Sequence, residues 1–342
     1  MAMTETAEFR VVEKFASKLF ADNEGTKLGI ARKITIATDD PRFERIGEVN
    51  KEIRATTKGS FFYGWRIKRQ YTHEELAEAK LLKLVVATAF EPAGEECGTK
   101  YDESTACPKC GSGATQISDL YLDLRKVPKR KEIATTIANE IIVSQHLAER
   151  MIDAGLTGFD LRPVRHKARY EDDPVDYRQV PTGREMIAKA LAAGMPHGTG
   201  RFDVWQNRTE NRSLAEQARA EHAAMIGEED RRKNKPLPVW YQLIVTSADA
   251  QIVPPTRVGI NPFDDDPKGE CRCPQGDLIG LNLLSEVSIA AASRGEADIV
   301  CSRQYVGLFK RSRRVILISP RFWRFLETEK LKGVIIEVVH LV

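Results

Sequence analysis

The sequence predicts an α+β protein: two pseudo-repeated β-α-β-type modules with a zinc-ribbon-like cysteine cluster, linked by a polar helical middle segment. Three observations carry that expectation. A strand–helix–strand pattern occurs twice, at residues 141–164 and 316–339. Three cysteines, Cys97, Cys107 and Cys110, crowd a short stretch ahead of the first copy. Between the copies, residues 209–235 are rich in Ala, Glu, Arg and Gln and poor in large apolar side chains, as a solvated connector or interaction arm would be.

Residues 1–90 read as an N-terminal α/β segment. Phe9, Val12, Phe15, Leu19 and Phe20 recur at near-helical spacing, predicting a helix over 4–20. Residues 30–37 alternate like a strand, and 59–68, with Phe61, Phe62, Tyr63 and Trp65, form a second. Thr72 with Glu75 three positions on is a capping box opening a short helix. Residues 81–90 are apolar and β-branched, a strand running into the cysteines.

Residues 91–180 form the first cysteine module. In Cys107-Pro108-Lys109-Cys110-Gly111, two thiolates two residues apart bind one ion from a tight turn, and the glycine relaxes the backbone. Cys97 lies ten positions upstream and supplies a third ligand. Residues 120–124 alternate beyond the turn, so two strands are expected to flank a metal site. Residues 181–236 are the polar connector, with a helix over 182–193. The second module spans 237–342: a buried strand over 237–246, then a loop at Asn261-Pro262-Phe263 through Gly269 by its turn chemistry.

The two β-α-β segments align without a gap. Ser144 to Gly158 and Ser319 to Gly333 are both fourteen apart, and Leu147, Met151, Leu156, Phe159, Leu161 and Val164 match Phe322, Leu326, Leu331, Val334, Ile336 and Val339. A serine caps each helix and a glycine reverses the chain after it, so duplication is the expectation. Cys107 and Cys110 precede the first copy, Cys271-Arg272-Cys273 the second. If the halves pack together, one structural zinc takes Cys97, Cys107 and Cys110 plus Cys271 or Cys273, with His166 an alternative fourth ligand. Cys301 aligns with Thr135 or Thr136 and reads as a packing cysteine.

The 342-residue chain is 42% hydrophobic and 30% charged, an ordinary globular composition. Its net charge of +3 is too balanced to imply nucleic acid, although basic clusters stand at 125–131, 162–169 and 310–314. No apolar run reaches the ~20 residues of a membrane span. An acidic N-terminus without an apolar core is no signal peptide, so a cytoplasmic location is expected.

The paired cysteine motifs, each followed by a Val/Ile-Ser-helix-Leu-x-Gly-strand unit, resemble the double-CxxCG family of bacterial immunity proteins. The likeness covers 107–164 and, more loosely, 271–342; Cys-x-Cys replaces Cys-x-x-Cys-Gly in the second half, which favours one shared zinc site. The resemblance implies a non-catalytic protein that binds a protein partner, a cognate toxin. No nucleotide loop, His-Glu-x-x-His motif or histidine ligand spacing points to an enzyme. The competing expectation is a nucleic-acid-associated zinc-ribbon protein that uses the three basic clusters.

Overall fold

The structure is a computed structural model describing residues 3–108, 111–168, 236–265, 278–279, 281–307 and 312–342. Met1–Arg169 and Val239–Val342 make one compact unit and Tyr170–Pro238 a second. The fold below is that of the first. The expected helices at 182–193 and 209–235 lie outside the described residues.

The chain is mixed α and β, mostly sheet. Its N-terminal sheet has the order β2-β3-β1-β4, from β1 (Thr4–Val12), β2 (Thr26–Leu28), β3 (Ala31–Ala37) and β4 (Phe62–Gln70). The helix expected over 4–20 is therefore corrected to a nine-residue strand and one short turn, α1 (Glu13–Ala16). A period of two wins over the helical spacing because Ala7, Phe9 and Val11, all fully buried, line one strand face while Glu8 and Arg10 take the other. The buried face packs on α2 (Arg42–Thr56) through Phe43, Ile46, Val49 and Ile53. The sequence reading placed no element there. Phe263 enters this core as well, stacking 5.9 Å from Phe9. It passes so close to Gly47 that a Cβ there would sit 2.6 Å from its ring.

The capping box is formed: the Thr72 hydroxyl accepts from Glu75 N and opens α3 (His73–Glu78). The apolar run at 81–90 is split between two sheets. One part, β5 (Leu81–Val86), joins a six-stranded sheet of order β17-β20-β21-β5-β22-β19. The other, β6 (Ala89–Phe90), ends a five-stranded sheet of order β12-β14-β11-β10-β6. The five-stranded sheet takes β10 (Ile133–Thr136), β11 (Ile141–Ser144), β12 (Phe159–Pro163) and β14 (Trp240–Val245). The six-stranded one takes β17 (Leu278–Ile279), β19 (Val287–Ile289), β20 (Ile299–Gly307), β21 (Arg313–Ile318) and β22 (Val334–Leu341). Short pairs complete the unit: β7 (Tyr101–Asp102) with β8 (Thr115–Gln116), and β9 (Tyr121–Leu122) with β13 (Arg165–His166). A separate three-stranded sheet holds β15 (Val258–Asn261), β16 (Asp264–Asp265) and β18 (Asn282–Leu283). The loop expected from Asn261 thus begins as a hairpin, with Phe263 pulled into the N-terminal core.

Helices α4 (Gln145–Asp153) and α5 (Pro320–Thr328) share one core, where Leu147, Met151, Phe322 and Leu326 meet Leu82, Val143 and Leu243. Several of their surrounding contacts are alike. Ser144 and Ser319 accept from Leu147 N and Phe322 N, both at 3.1 Å. Gly158 and Gly333 have φ of 98° and 95°, and their carbonyls accept from Thr246 N and Ala87 N. Thr135 N donates to Thr88 O, and Cys301 N to Ser247 O. Phe90 lies parallel to Thr136, and Ala250 to Ser302. Glu132 pairs with His146 at 2.8 Å, and Asp298 with Arg321 at 3.2 Å. The strands are exchanged: β14 lies antiparallel between β11 and β12, and β5 antiparallel between β21 and β22. On β5, Lys83 faces Glu337 of β22 at 2.6 Å. Arg69 reaches the same carboxylate at 3.3 Å and ties the N-terminal sheet to the six-stranded one. No helix among the described residues is long and apolar enough to cross a membrane.

Candidate metal centre

The cysteine turn sits on a very short ribbon. In β7 and β8, Tyr101 faces Gln116 and Asp102 faces Thr115; below them Ile117 N donates to Lys100 O. These are the strands that flank the turn. Residues 120–124, expected in that role, instead place β9 beside β13 in parallel register. At the tip Cys107 N donates to Ser112 O at 2.8 Å and Gly111 N to Cys107 O at 2.7 Å, closing the backbone into a loop. Gly111, at φ 71°, takes the left-handed conformation that a Cβ would disfavour. Cys107 is 2% exposed.

Cys97 closes a single 3₁₀ turn, Glu95–Cys97, and is 1% exposed. Burial raises its thiol pKa. The Asp123 amide opposes that rise, and the carboxylates of Asp123, Glu96 and Glu140 add to it. Nearby, His166 Nδ1 lies 3.3 Å from both Leu122 O and Leu124 N, and 3.9 Å from Asp123 Oδ1.

Two polar clusters that sequence reasoning missed hold the ribbon down. Glu140, 9% exposed, accepts from Gly94 N at 3.1 Å, from the Tyr101 hydroxyl at 2.6 Å and from the Thr136 hydroxyl. A Cβ on Gly94 would lie 2.5 Å from Glu140 Oε1, so only glycine lets the chain approach. Gln116 on β8 and Gln242 on β14 exchange amide hydrogen bonds at 3.1 and 2.7 Å. The signals were present but faint: a lone Glu after a β-branched run, and a Gln inside an apolar strand.

Of the expected ligands, Cys97 and Cys107 are buried in the first cysteine module, while Cys110, Cys271 and Cys273 lie outside the described residues. Among the described residues no three His, Cys, Asp or Glu side chains are grouped closely enough to hold a metal. The 271–273 segment is bracketed by β16, paired with β15, and β17, paired with β20, both in the second half. Cys301 is buried on β20, and burial pushes its thiol up to about 12. The basic clusters are partly occupied: Arg165 pairs with Asp119 at 3.1 Å, and the Arg314 guanidinium lies 4.8 Å from the Tyr305 ring centre. Comparison with protein-family models, curated proteins and solved structures gives no match, so the site is read from its own residues.

Proposed function

We propose that this chain is a non-catalytic, zinc-stabilised protein-binding module made of two copies of one β-α-β unit, akin to immunity proteins that neutralise a toxin by binding it. The carrying observation is the loop closed by Cys107 N to Ser112 O and Gly111 N to Cys107 O. It holds a buried cysteine at the tip of a ribbon whose two strands have two residues each. A two-stranded hairpin of that size is at best marginal alone, and a structural ion is the usual remedy where little core is available. Cys97, Cys107 and Cys110 would supply three thiolates and Cys271 or Cys273 the fourth. A closed thiolate site has no open position for water and serves as a staple.

Support for the repeat comes from the matched caps, glycine carbonyls and ion pairs around α4 and α5. Arg165 and Arg314 already engage partners within the chain, which favours a protein partner over nucleic acid. Metal analysis of never-chelated protein tests the reading. About one zinc per chain is expected, Cys110→Ser lowers both metal content and folded yield, and Cys301→Ser leaves metal unchanged. Less than about half an equivalent in the parent protein would overturn it.

A further inference from the structure

We propose that the outer face of the N-terminal sheet is a docking surface for an acidic, extended segment of a partner protein, an inference that rests on the protein-binding reading above. One face of this sheet is closed by α2; the other carries charge. Across it the register sets Lys33, Arg10 and Gly64 in one row, Thr35, Glu8 and Arg66 in the next, and Ala37, Thr6 and Lys68 in the third. Lys33, Arg10, Arg66 and Lys68 are all exposed. The single carboxylate, Glu8, lies between Lys33 Nζ at 3.1 Å and Lys68 Nζ at 2.7 Å, leaving an excess of three cations on this face.

That excess is arranged rather than scattered. Arg66 and Lys68 are alternate residues of β4, about 6.6–6.8 Å apart along the strand. Alternate side chains of an extended partner segment repeat at the same distance, so acids at every second position meet these cations in register. Gly64 leaves the surface flat: a Cβ there would sit 3.5 Å from Arg10 Cδ. The β-bulge after Arg10 adds Tyr63 at the rim, 56% exposed, where it can cover a bound segment. Exposed like charges gathered on one face favour an anionic partner.

Single-stranded nucleic acid is the less suitable occupant, because such surfaces stack bases on successive aromatic rings. The rows here hold threonine and alanine beside the cations, and Tyr63 stands alone at the rim.

The test is fluorescence anisotropy with a labelled peptide of alternating Glu and Ser, and with oligo(dT) of equal charge, against the full-length protein. The peptide is expected to bind at about 50 mM salt and weaken at about 300 mM. Arg66→Glu with Lys68→Glu should weaken it at least about tenfold, and Lys51→Glu with Arg54→Glu, on the exposed side of α2, less than about twofold. Unchanged melting temperatures establish that both variants fold. No peptide binding, equal loss in both variants, or tighter binding of oligo(dT) overturns the proposal. Zinc content, measured on the same samples, reports separately on the scaffold: peptide failure with zinc retained refutes the surface alone, whereas zinc absent from the parent refutes the reading beneath it.

Discussion

Replacing Glu140 should loosen the cysteine ribbon more than any single change on its surface. The carboxylate gathers Gly94 N, the Tyr101 hydroxyl and the Thr136 hydroxyl where β6, β7 and β10 converge. The Thr136 hydroxyl can turn to another acceptor, but Gly94 N is fixed by the backbone and the half-buried Tyr101 ring directs its hydroxyl at the carboxylate. Hydrogen bonds to a charged acceptor are worth about 1.5–3 kcal/mol each, so losing two with Glu140→Ala should cost about 3–6 kcal/mol. Against a typical stability of about 5–15 kcal/mol that is a large fraction. Tyr101→Phe removes one donor and should cost about 1–2 kcal/mol. The Tyr101 hydroxyl remains a donor across the accessible pH range, because burial first and Glu140 second push its pKa well above the usual value. Urea unfolding gives the magnitudes, and limited proteolysis shows whether cleavage concentrates within residues 97–118. The double variant should cost clearly less than the sum of the singles, since both act on one contact. A loss below about 0.5 kcal/mol for Glu140→Ala, or strict additivity, would refute the role assigned to this cluster.

Gly158→Ala should destabilise by more than about 2 kcal/mol, because φ is 98° and the added Cβ would lie 2.1 Å from the Ile299 carbonyl. Gly29→Ala, at φ 68° in open space, should cost only about 1 kcal/mol by the same unfolding assay. Cys301 makes stability fall at alkaline pH: its folded pKa is raised, so its contribution is intact below about pH 9 and is lost as pH climbs toward about 12. The slope is about 1.4 kcal/mol per pH unit, and Cys301→Thr should flatten it in denaturation at pH 8 to 11. The fragment 237–342 should fail to fold alone, since without β5 the facing edges of β21 and β22 are bare. Co-expression with 1–168 should restore soluble, cooperative material; a soluble lone fragment with native circular dichroism would contradict the strand exchange.

The sequence made the local units legible and left their partners hidden. Ser144 and Ser319, Gly158 and Gly333, and the apolar positions between them marked both helices and their reversals, because caps and left-handed turns are local chemistry. Strand membership was not local. Residues 81–90 read as one strand because both faces of β5 are buried, Leu81 in one core and Leu82 and Leu84 in another, which produces a largely apolar run, interrupted by Lys83 and Thr88, with no sign of the break before β6. Residues 4–20 misled because Phe9, Val12 and Phe15 satisfy a helical spacing by accident; the pairing with β3 and β4 decides the outcome. Glu140 and the Gln116–Gln242 pair were invisible, since each becomes significant only when distant backbone closes over it.

The exchange of strands also narrows what a zinc ion would have to do. A metal shared between Cys97, Cys107, Cys110 and the 271–273 segment looked, from sequence, like the clamp joining two halves. The halves are already clamped: β5 pairs with β21 and β22, β14 pairs with β11 and β12, and α4 and α5 are buried in the same core. Separating them would strip a strand from the interior of each of two sheets. The ribbon is different, because among its described residues between Cys97 and Gln116 it has two two-residue strands, with Glu140 and Gln242 gripping it from below. If zinc binds as proposed, chelation should loosen the ribbon and leave the shared core of α4 and α5 folded.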